Sequence, residues 1–374
     1  MHLAHNPKSF GFSILSLLSA IFPQSVAQKN LKAAVIIFRH GDRTPFRSYP
    51  TELYRENDWP QGYGQLTKLG IQQQYELGQY LRDRYANVLS IQYKREEICV
   101  LSTDYDRTIM SAQATLAGLY PPTGGQIWNP RILWQPIPVH TLAQSLDYLH
   151  TFIPGCPRYD RIQNETTKSN VFQKVMQPYM NFLTTMARNT GYNVASLKNL
   201  TNLNAWTVYD NIKIEITHNY PIPSWATPNV LAKLEELSDL TILSLFGIYK
   251  KREKSLLQGG RIVKAVLKDI REAAKHENKR KLMMYSAHAT TIAAFQIALN
   301  VYNGRVPPLS SCQFLELYED KIRQYSIEMY YRNDTSGTPH QLTLPGCSFS
   351  CPLAKFTRLV SSVITADWEK QCQK

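Results

Sequence analysis

The sequence predicts an α/β fold in which helices flank a largely parallel sheet and a smaller helical lobe is inserted. Short apolar runs suited to buried strands alternate with helical patterns in the first half of the chain, and the alternation resumes near the C-terminus. Between these parts, residues 159–246 combine helical stretches with polar loops and few strand-like runs. We therefore expect an α/β domain from residues 28–158 and 247–374, with residues 159–246 as the inserted helical lobe.

The first half supplies two strand–helix units. Residues 33–38 form an apolar run typical of a buried strand, and apolar residues at helical spacing follow from about residue 67 to residue 85. Residues 98–101 are a second short apolar run. A helix then begins near residue 103 and ends by residue 120, because Pro121-Pro122 cannot continue it.

The later elements are predicted in the same way. A leucine stripe over residues 230–245 indicates a packed helix rather than a binding site. Residues 281–287 read as a strand and residues 292–299 as a helix. Two further strands, at residues 314–318 and 325–331, are expected to form a hairpin at the edge of the sheet.

The N-terminal segment has the pattern of a secretory signal. Lys8 precedes an apolar stretch over residues 10–22, and Ser25-Val26-Ala27 places small residues where a signal peptidase cuts. We expect residues 1–27 to be removed and the protein to be secreted, with the lysosomal lumen as the alternative. Neither this stretch nor any later one suits a transmembrane anchor. Glycosylation sequons at Asn164, Asn199 and Asn333 agree with export.

Charge and cysteine content limit the classes of partner. The chain of 374 residues has a formal net charge of +13, which favours anionic partners, but its lysines and arginines are scattered. This scatter argues against nucleic acid. Export makes disulfides the expected state of the six cysteines, and Cys347 and Cys351 can form a local bridge in "PGCSFSCP". No pairing of His and Cys completes a zinc ligand set, so we expect no metal.

Polar clusters follow three of the predicted strands. The carboxyl ends of parallel strands lie at one edge of a sheet, where ligands bind, so these clusters should share a pocket. Its candidate residues, drawn from the three strand ends, are Arg39, His40 and Arg43; Asp104, Asp106 and Arg107; and His288.

Such a pocket is suited to a phosphoryl group. Neighbouring arginines repel one another unless an anion lies between them, and guanidinium groups match phosphate oxygens geometrically. Positioning and charge stabilisation dominate phosphoryl transfer, and a histidine below the phosphorus can act as the nucleophile. The arginines already neutralise the phosphate oxygens, so the chemistry requires neither a metal nor a cofactor.

These residues also resemble a known family. "FRHGDRTP" resembles the signature of the histidine acid phosphatases, and "STDYDRT", "LWQPIPVH" and "MYSAH" are similar to the prostatic and lysosomal branch. The resemblance implies a mixed sheet, a smaller α domain and a homodimer whose contact includes Trp134 and His140. It implies that His40 is the nucleophile and that phosphate is bound by Arg39, Arg43, Arg107 and His288.

One departure from the family concerns the proton donor. The family motif is His-Asp, with the Asp protonating the leaving group, whereas this chain has His288-Ala289. The enzyme could therefore be weakened, or the protein could be a pseudophosphatase that binds phosphate esters without efficient turnover. A purely structural secreted dimer is a third reading, but it leaves the arginines unexplained. Asp42, Asp104 and Asp106 are candidates to replace the missing acid.

The other departure concerns the cysteines. The family pairs the positions of Cys156 with Cys372 and of Cys347 with Cys351. It also pairs that of Cys312 with a cysteine that is absent from this chain, and Cys99 is additional. We expect Cys99 and Cys312 to be free and buried, with a bridge between them as the alternative.

Overall fold

The computed structural model of the protein describes residues 29–143, 146–151, 156–334 and 337–373. The predicted signal segment, residues 1–27, lies outside the described residues. Within them, one eight-stranded sheet carries helices on both faces, as the α/β pattern predicts. No helix in this part of the chain is long and apolar enough to cross a membrane.

The sheet is mixed, with four parallel strands side by side. Its order is β3-β2-β4-β1-β5-β6-β7, with β8 pairing beside β6, and the pairs from β3 to β1 are parallel. The pairs beyond β1 are antiparallel. The strands are β1 (Asn30–Arg39), β2 (Ile98–Ser102), β3 (His140–Thr141), β4 (Leu282–Ala287), β5 (Cys312–Glu319), β6 (Tyr325–Arg332), β7 (His340–Leu342) and β8 (Cys351–Pro352).

The helices of the described residues follow the predicted alternation on either side of a long helical stretch. They are α1 (Lys68–Arg84), α2 (Asp106–Leu119), α3 (Pro157–Lys168), α4 (Asn170–Met176), α5 (Met180–Thr190), α6 (Val194–Lys198), α7 (Asn204–Thr217), α8 (Pro228–Phe246), α9 (Lys251–Leu257), α10 (Gly259–Ala273), α11 (Ala289–Ala298), α12 (Leu353–Val360) and α13 (Trp368–Gln373). Between α3 and α8 the chain forms only helices and loops. The division at residues 159 and 246 into two domains stays a prediction.

Two apolar cores cover the two faces of the sheet. Successive side chains of a strand point to opposite faces, so β1 contributes Val35 and Ile37 to one core and Ile36 and Phe38 to the other. The first core packs against α10 and α11, and the second packs against α1 and α2. A strand that is apolar on both faces is what a central parallel strand requires, and this explains the unbroken apolar run.

The hairpin prediction was wrong in its position. Strands β5 and β6 do form an antiparallel hairpin, but β5 pairs with β1 and β6 pairs with β7 and β8. The hairpin therefore lies inside the sheet. The strands that cover it contain three residues or fewer, too short for a periodic pattern to reveal them.

Both disulfides implied by the family resemblance are present. Cys156 is bonded to Cys372, and Cys347 is bonded to Cys351. Cys99 and Cys312 are free, but only Cys312 is buried, which corrects the expectation that both would be. A bridge between them is excluded because β2 and β5 are three strand spacings apart, roughly 14 Å.

Candidate active site

The three strand ends predicted to share a pocket do meet. Strands β2, β4 and β1 are neighbours, with Arg39 opposite Ala287 and Ser102 opposite Ser286. The residues that leave these strands, His40, Thr103 and His288, therefore emerge at one edge. The rings of His40 and His288 lie 5.7 Å apart, centre to centre, although the residues are 248 positions apart in the sequence.

Two glycines bring the loop after β1 onto the first turn of α1. A Cβ atom on Gly41 would lie 2.3 Å from the carbonyl oxygen of Gly70, and one on Gly70 would lie 2.1 Å from that of Asp42. No larger residue fits at either position without moving the backbone. The loop is also fixed by the amide of His40, which donates to the carbonyl of Ala287.

The hydrogen bond of His40 determines which ring nitrogen is reactive. Nδ1 of His40 lies 2.8 Å from the carbonyl oxygen of Gly41, which can only accept, so Nδ1 carries the proton and Nε2 keeps its lone pair. His40 is 3% exposed. Burial first, and then the charges of Arg107, Arg39 and Arg43, hold the pKa of His40 well below its usual value. The lowered pKa favours the neutral form of the imidazole.

Two arginines present buried donors without partners. Arg39 donates from Nη1 to the carbonyl of Pro307 at 2.7 Å, but its Nε has no partner among the described residues, and neither does Nε of Arg107. Burial, followed by the charge of Arg43, lowers the pKa of each to about 10. Buried donors are normally satisfied, so this concentration of positive charge and open N–H groups is suited to a bound anion.

Arg43 has a carboxylate partner that the sequence did not predict. Nη1 and Nη2 of Arg43 donate to the two oxygens of Asp210 at 2.9 and 3.1 Å. Asp210 lies in α7, and both side chains are nearly buried. This bidentate pair orients Arg43 and links the helical stretch to the loop after β1.

His288 is held by a chain of hydroxyl groups. Its Nε2 lies 3.0 Å from Oγ1 of Thr103, which lies 2.9 Å from Oγ1 of Thr108. Its Nδ1 faces Nη2 of Arg107 at 3.4 Å, and since a guanidinium only donates, Nδ1 is the acceptor and Nε2 carries the proton. Burial and then the charge of Arg107 hold the pKa of His288 well below its usual value.

Ala289 stands at the first position of α11 and is 4% exposed. Of the carboxylates considered as replacements for the acid, one already accepts hydrogen bonds and the other two are exposed to solvent. Oδ2 of Asp42 accepts from Thr67 and His218 at 2.5 and 2.7 Å, while Asp104 and Asp106 have exposed side chains.

A cavity of about 350 Å³ opens beside this edge of the sheet. Arg39 and Arg43 lie at one side of it, and the opposite side is formed by α7 and α8. Its walls include the aromatic side chains of Trp206 and Tyr209 as well as charged groups of both signs. Within the described part of the chain, no group of three or more His, Cys, Asp or Glu side chains is arranged to hold a metal ion.

Comparison with known proteins decides the family. The sequence profile of the histidine phosphatase superfamily (branch 2) matches residues 30–332 of this chain. The chain belongs to the histidine phosphatase superfamily, branch 2. This branch 2 member is 49% identical over 369 residues to prostatic acid phosphatase of Bos taurus, across 97% of this chain and 94% of the relative. It is 45% identical over 347 residues to lysosomal acid phosphatase of Xenopus laevis, across 92% and 79%.

Solved structures of phytases share the fold of this branch 2 chain, at a much lower sequence identity than the acid phosphatases. The phytase from Citrobacter braakii superposes with a TM-score of 0.67 at 16% identity, covering 92% of this chain and 99% of the phytase. Hafnia alvei phytase in complex with tartrate gives a TM-score of 0.67 at 18% identity, covering 92% and 98%. The predicted mixed sheet with flanking helices is therefore confirmed, and its mostly parallel strands are the central ones.

Sequence reasoning on this phosphatase-family chain missed several residues around the site. Asp210 carried no local signal because it is one acidic residue on a helix. Thr103 lay inside a recognised motif, "STDYDRT", but a hydroxyl rarely indicates a site by itself. His150 and Tyr105 also lie next to His288, with ring centres 5.7 and 5.3 Å from it.

Proposed function

We propose that this chain is an acid phosphomonoesterase that hydrolyses phosphate monoesters through a phosphohistidine on His40. The observation that carries the proposal is the buried imidazole of His40, whose Nδ1 donates to Gly41 and whose Nε2 is free to attack. Its relatives, named prostatic and lysosomal acid phosphatases, support the same activity. The proposal includes no cofactor.

The phosphoryl group is bound by arginine. The charges of Arg39, Arg43 and Arg107 all act on His40, so a phosphoryl group bound beside this ring would meet the charge of three guanidinium groups. Unpartnered N–H groups on Arg39 and Arg107 can donate to its oxygens. His288, beside Arg107, binds the same group, and a bound dianion would favour its protonated form.

Acidic conditions suit this arrangement. An ordinary histidine has a pKa of about 6.5 and would be mostly protonated in acid, where it could not attack phosphorus. Burial and three positive neighbours lower the pKa of His40 and so favour its neutral form there. His40 can therefore attack phosphorus at an acidic pH at which a proton-donating group still carries its proton.

Proton donation is where this chain departs from its family. Ala289 has no proton to give, so we propose that turnover is weakened, most of all for alkyl phosphates whose leaving oxygen must be protonated. Loss of a general acid typically costs about 10²–10⁴-fold in rate. Ala289 also favours a second candidate function, a secreted pseudophosphatase that binds phosphate esters without efficient turnover.

Phosphate release from p-nitrophenyl phosphate, measured from about pH 4 to pH 8, tests the activity. We expect repeated turnovers that are faster in acid, abolished by His40→Ala and kept in His276→Ala, a matched change at an exposed histidine. Binding of inorganic phosphate without turnover would favour the pseudophosphatase. Absence of both binding and turnover would contradict both candidate functions.

The destination and the glycosylation of the protein are also matters of proposal. We propose export, with secretion favoured over the lysosomal lumen, and glycosylation at the sequons. Asn164 is exposed on α3, while Asn199 and Asn333 are half-buried. Relatives named for the prostate and for the lysosome support either destination.

We also propose a homodimer that uses the surface around Trp134 and His140. Trp134 is 42% exposed, and Leu133 and Trp128 beside it are 73% and 57% exposed. Large apolar side chains that cluster at the surface are typical of an interface. The measured mass in dilute solution should be that of a dimer, and Leu133→Lys should shift it to that of a monomer.

A further inference from the structure

A third histidine lies beside the proposed phosphate site. The ring of His150 is 5.7 Å from that of His288 and 5.3 Å from that of Tyr105, centre to centre. The charge of Arg107 also acts on it. His150 therefore shares the neighbours of the phosphate-binding groups, although it comes from a loop rather than from a strand end.

The loop that carries His150 is fastened to the helix that begins with Ala289. Oγ1 of Thr291, in the first turn of α11, donates to the carbonyl of Leu149 at 2.7 Å. Oδ1 of Asp147 accepts from the amides of Leu149 and His150 at 2.8 and 3.2 Å. Leu149 and Ala289 belong to the same buried apolar cluster. His150 is thus held beside His288, the residue that precedes Ala289.

One ring nitrogen of His150 is free to act. Nε2 lies 3.3 Å from the hydroxyl oxygen of Tyr105, whereas Nδ1 is buried and has no partner among the described residues. A buried ring nitrogen without a partner is costly, as are the open Nε groups of Arg39 and Arg107. A phosphate ester bound in the site would offer acceptors for such open donors.

We propose that His150 protonates the leaving-group oxygen, the step that Ala289 cannot perform, so that turnover of alkyl phosphates is weakened but not lost. The proposal rests on the proposed phosphatase function. Nε2 of His40 attacks phosphorus and forms the P–N bond while the P–O bond to the leaving group breaks. The imidazolium of His150 gives its proton to that oxygen, which departs as an alcohol. Neutral His150 then takes a proton from water, whose oxygen displaces His40 and releases inorganic phosphate.

The first step requires the protonated form of His150, so hydrolysis of alkyl phosphates should fall as pH rises. Burial and then the charge of Arg107 lower the pKa of His150, which moves this fall toward acid. The groups that face His150 are Tyr105 and Arg107 from the segment after β2, His288 after β4, and Asp147 on its own loop.

His150→Gln tests the proposal with two substrates. Ethyl phosphate needs a proton on its leaving oxygen, whereas p-nitrophenyl phosphate does not. We expect a loss on the order of 10²-fold or more for ethyl phosphate and a change of only a few-fold for p-nitrophenyl phosphate. His276→Gln, an exposed histidine, is the matched control and should leave both rates unchanged. Equal losses on both substrates, or no loss on either, would overturn the proposal.

Two further variants keep the proposal testable if His150→Gln folds poorly. Tyr105→Phe removes only the hydroxyl beside Nε2 and should move the pH at which ethyl phosphate hydrolysis falls. An unmoved profile would count against His150. In the double variant His150→Gln, Ala289→Asp, the family's own acid should restore hydrolysis of ethyl phosphate. If the unchanged protein fails to hydrolyse p-nitrophenyl phosphate, the proposed function itself fails, whatever His150 does.

Discussion

Replacing Glu215 with Gln is expected to stabilise the protein at neutral pH and to change little in acid. Glu215 lies in α7 and is 1% exposed, and its neighbour Glu52 is 3% exposed. Neither carboxyl forms an ion pair within the described residues. Burial first, and then the charge of Glu52, raise the pKa of Glu215.

The sign and size of the effect follow from this raised pKa. In the unfolded chain the glutamate titrates near its ordinary pKa of about 4.3, so below that pH the proton is bound in both states and the pair costs no stability. As pH rises from there toward the raised pKa of the folded state, the unfolded chain loses its proton first. The free energy of unfolding then falls by about 1.4 kcal/mol per pH unit, or about 3 kcal/mol between pH 4.5 and pH 7.

The amide that replaces the Glu215 carboxyl carries no charge at any pH, so the variant should avoid this loss. Urea unfolding followed by tryptophan fluorescence should show the two proteins equally stable near pH 4.5 and the variant about 3 kcal/mol more stable near pH 7. Glu96→Gln, at an exposed glutamate, is the matched control and should follow the unchanged protein. Parallel stability curves for Glu215→Gln and the unchanged protein would refute the reasoning.

Two other predictions concern ligand binding and the thiols. Vanadate at about a hundred times its dissociation constant should add about 2.7 kcal/mol to the free energy of unfolding. Vanadate should therefore raise the melting temperature, and Arg107→Ala should reduce this rise, whereas Arg358→Ala, at an exposed arginine, should not. A melting temperature that vanadate leaves unchanged would count against an anion site. The denatured, unreduced protein should react with two equivalents of a thiol reagent, because Cys99 and Cys312 are free. The native protein should expose only the half-buried Cys99, and a complete absence of titratable thiol would contradict the pairing.

The sequence predicted the parts of this site that depend on local pattern. Each of the strands β1, β2 and β4 is an apolar run that ends in polar residues, and the rule for parallel sheets then places those residues at one edge. That reasoning located Arg39, His40, Arg107 and His288 without contact information. The prolines that follow α2 likewise predicted its C-terminal end.

The residues of the site that the sequence did not predict depend on contacts between distant segments of the chain. Asp210 pairs with Arg43 across 167 positions, and His150 reaches His288 from a loop with no regular pattern. The buried pair of Glu52 and Glu215 is similar, since two scattered glutamates are ordinarily solvent-exposed. No periodicity or motif records such pairings, because only the folded chain brings them together.

Trapping the covalent intermediate is the sharpest test of His40 as the nucleophile. The protein is mixed with p-nitrophenyl phosphate labelled on phosphorus, denatured rapidly without acid, and digested to locate the label. We expect phosphohistidine at His40, attached through Nε2 because Nδ1 donates to Gly41, and no label in His40→Ala. Labelling that survives His40→Ala, or turnover without any labelled histidine, would contradict it.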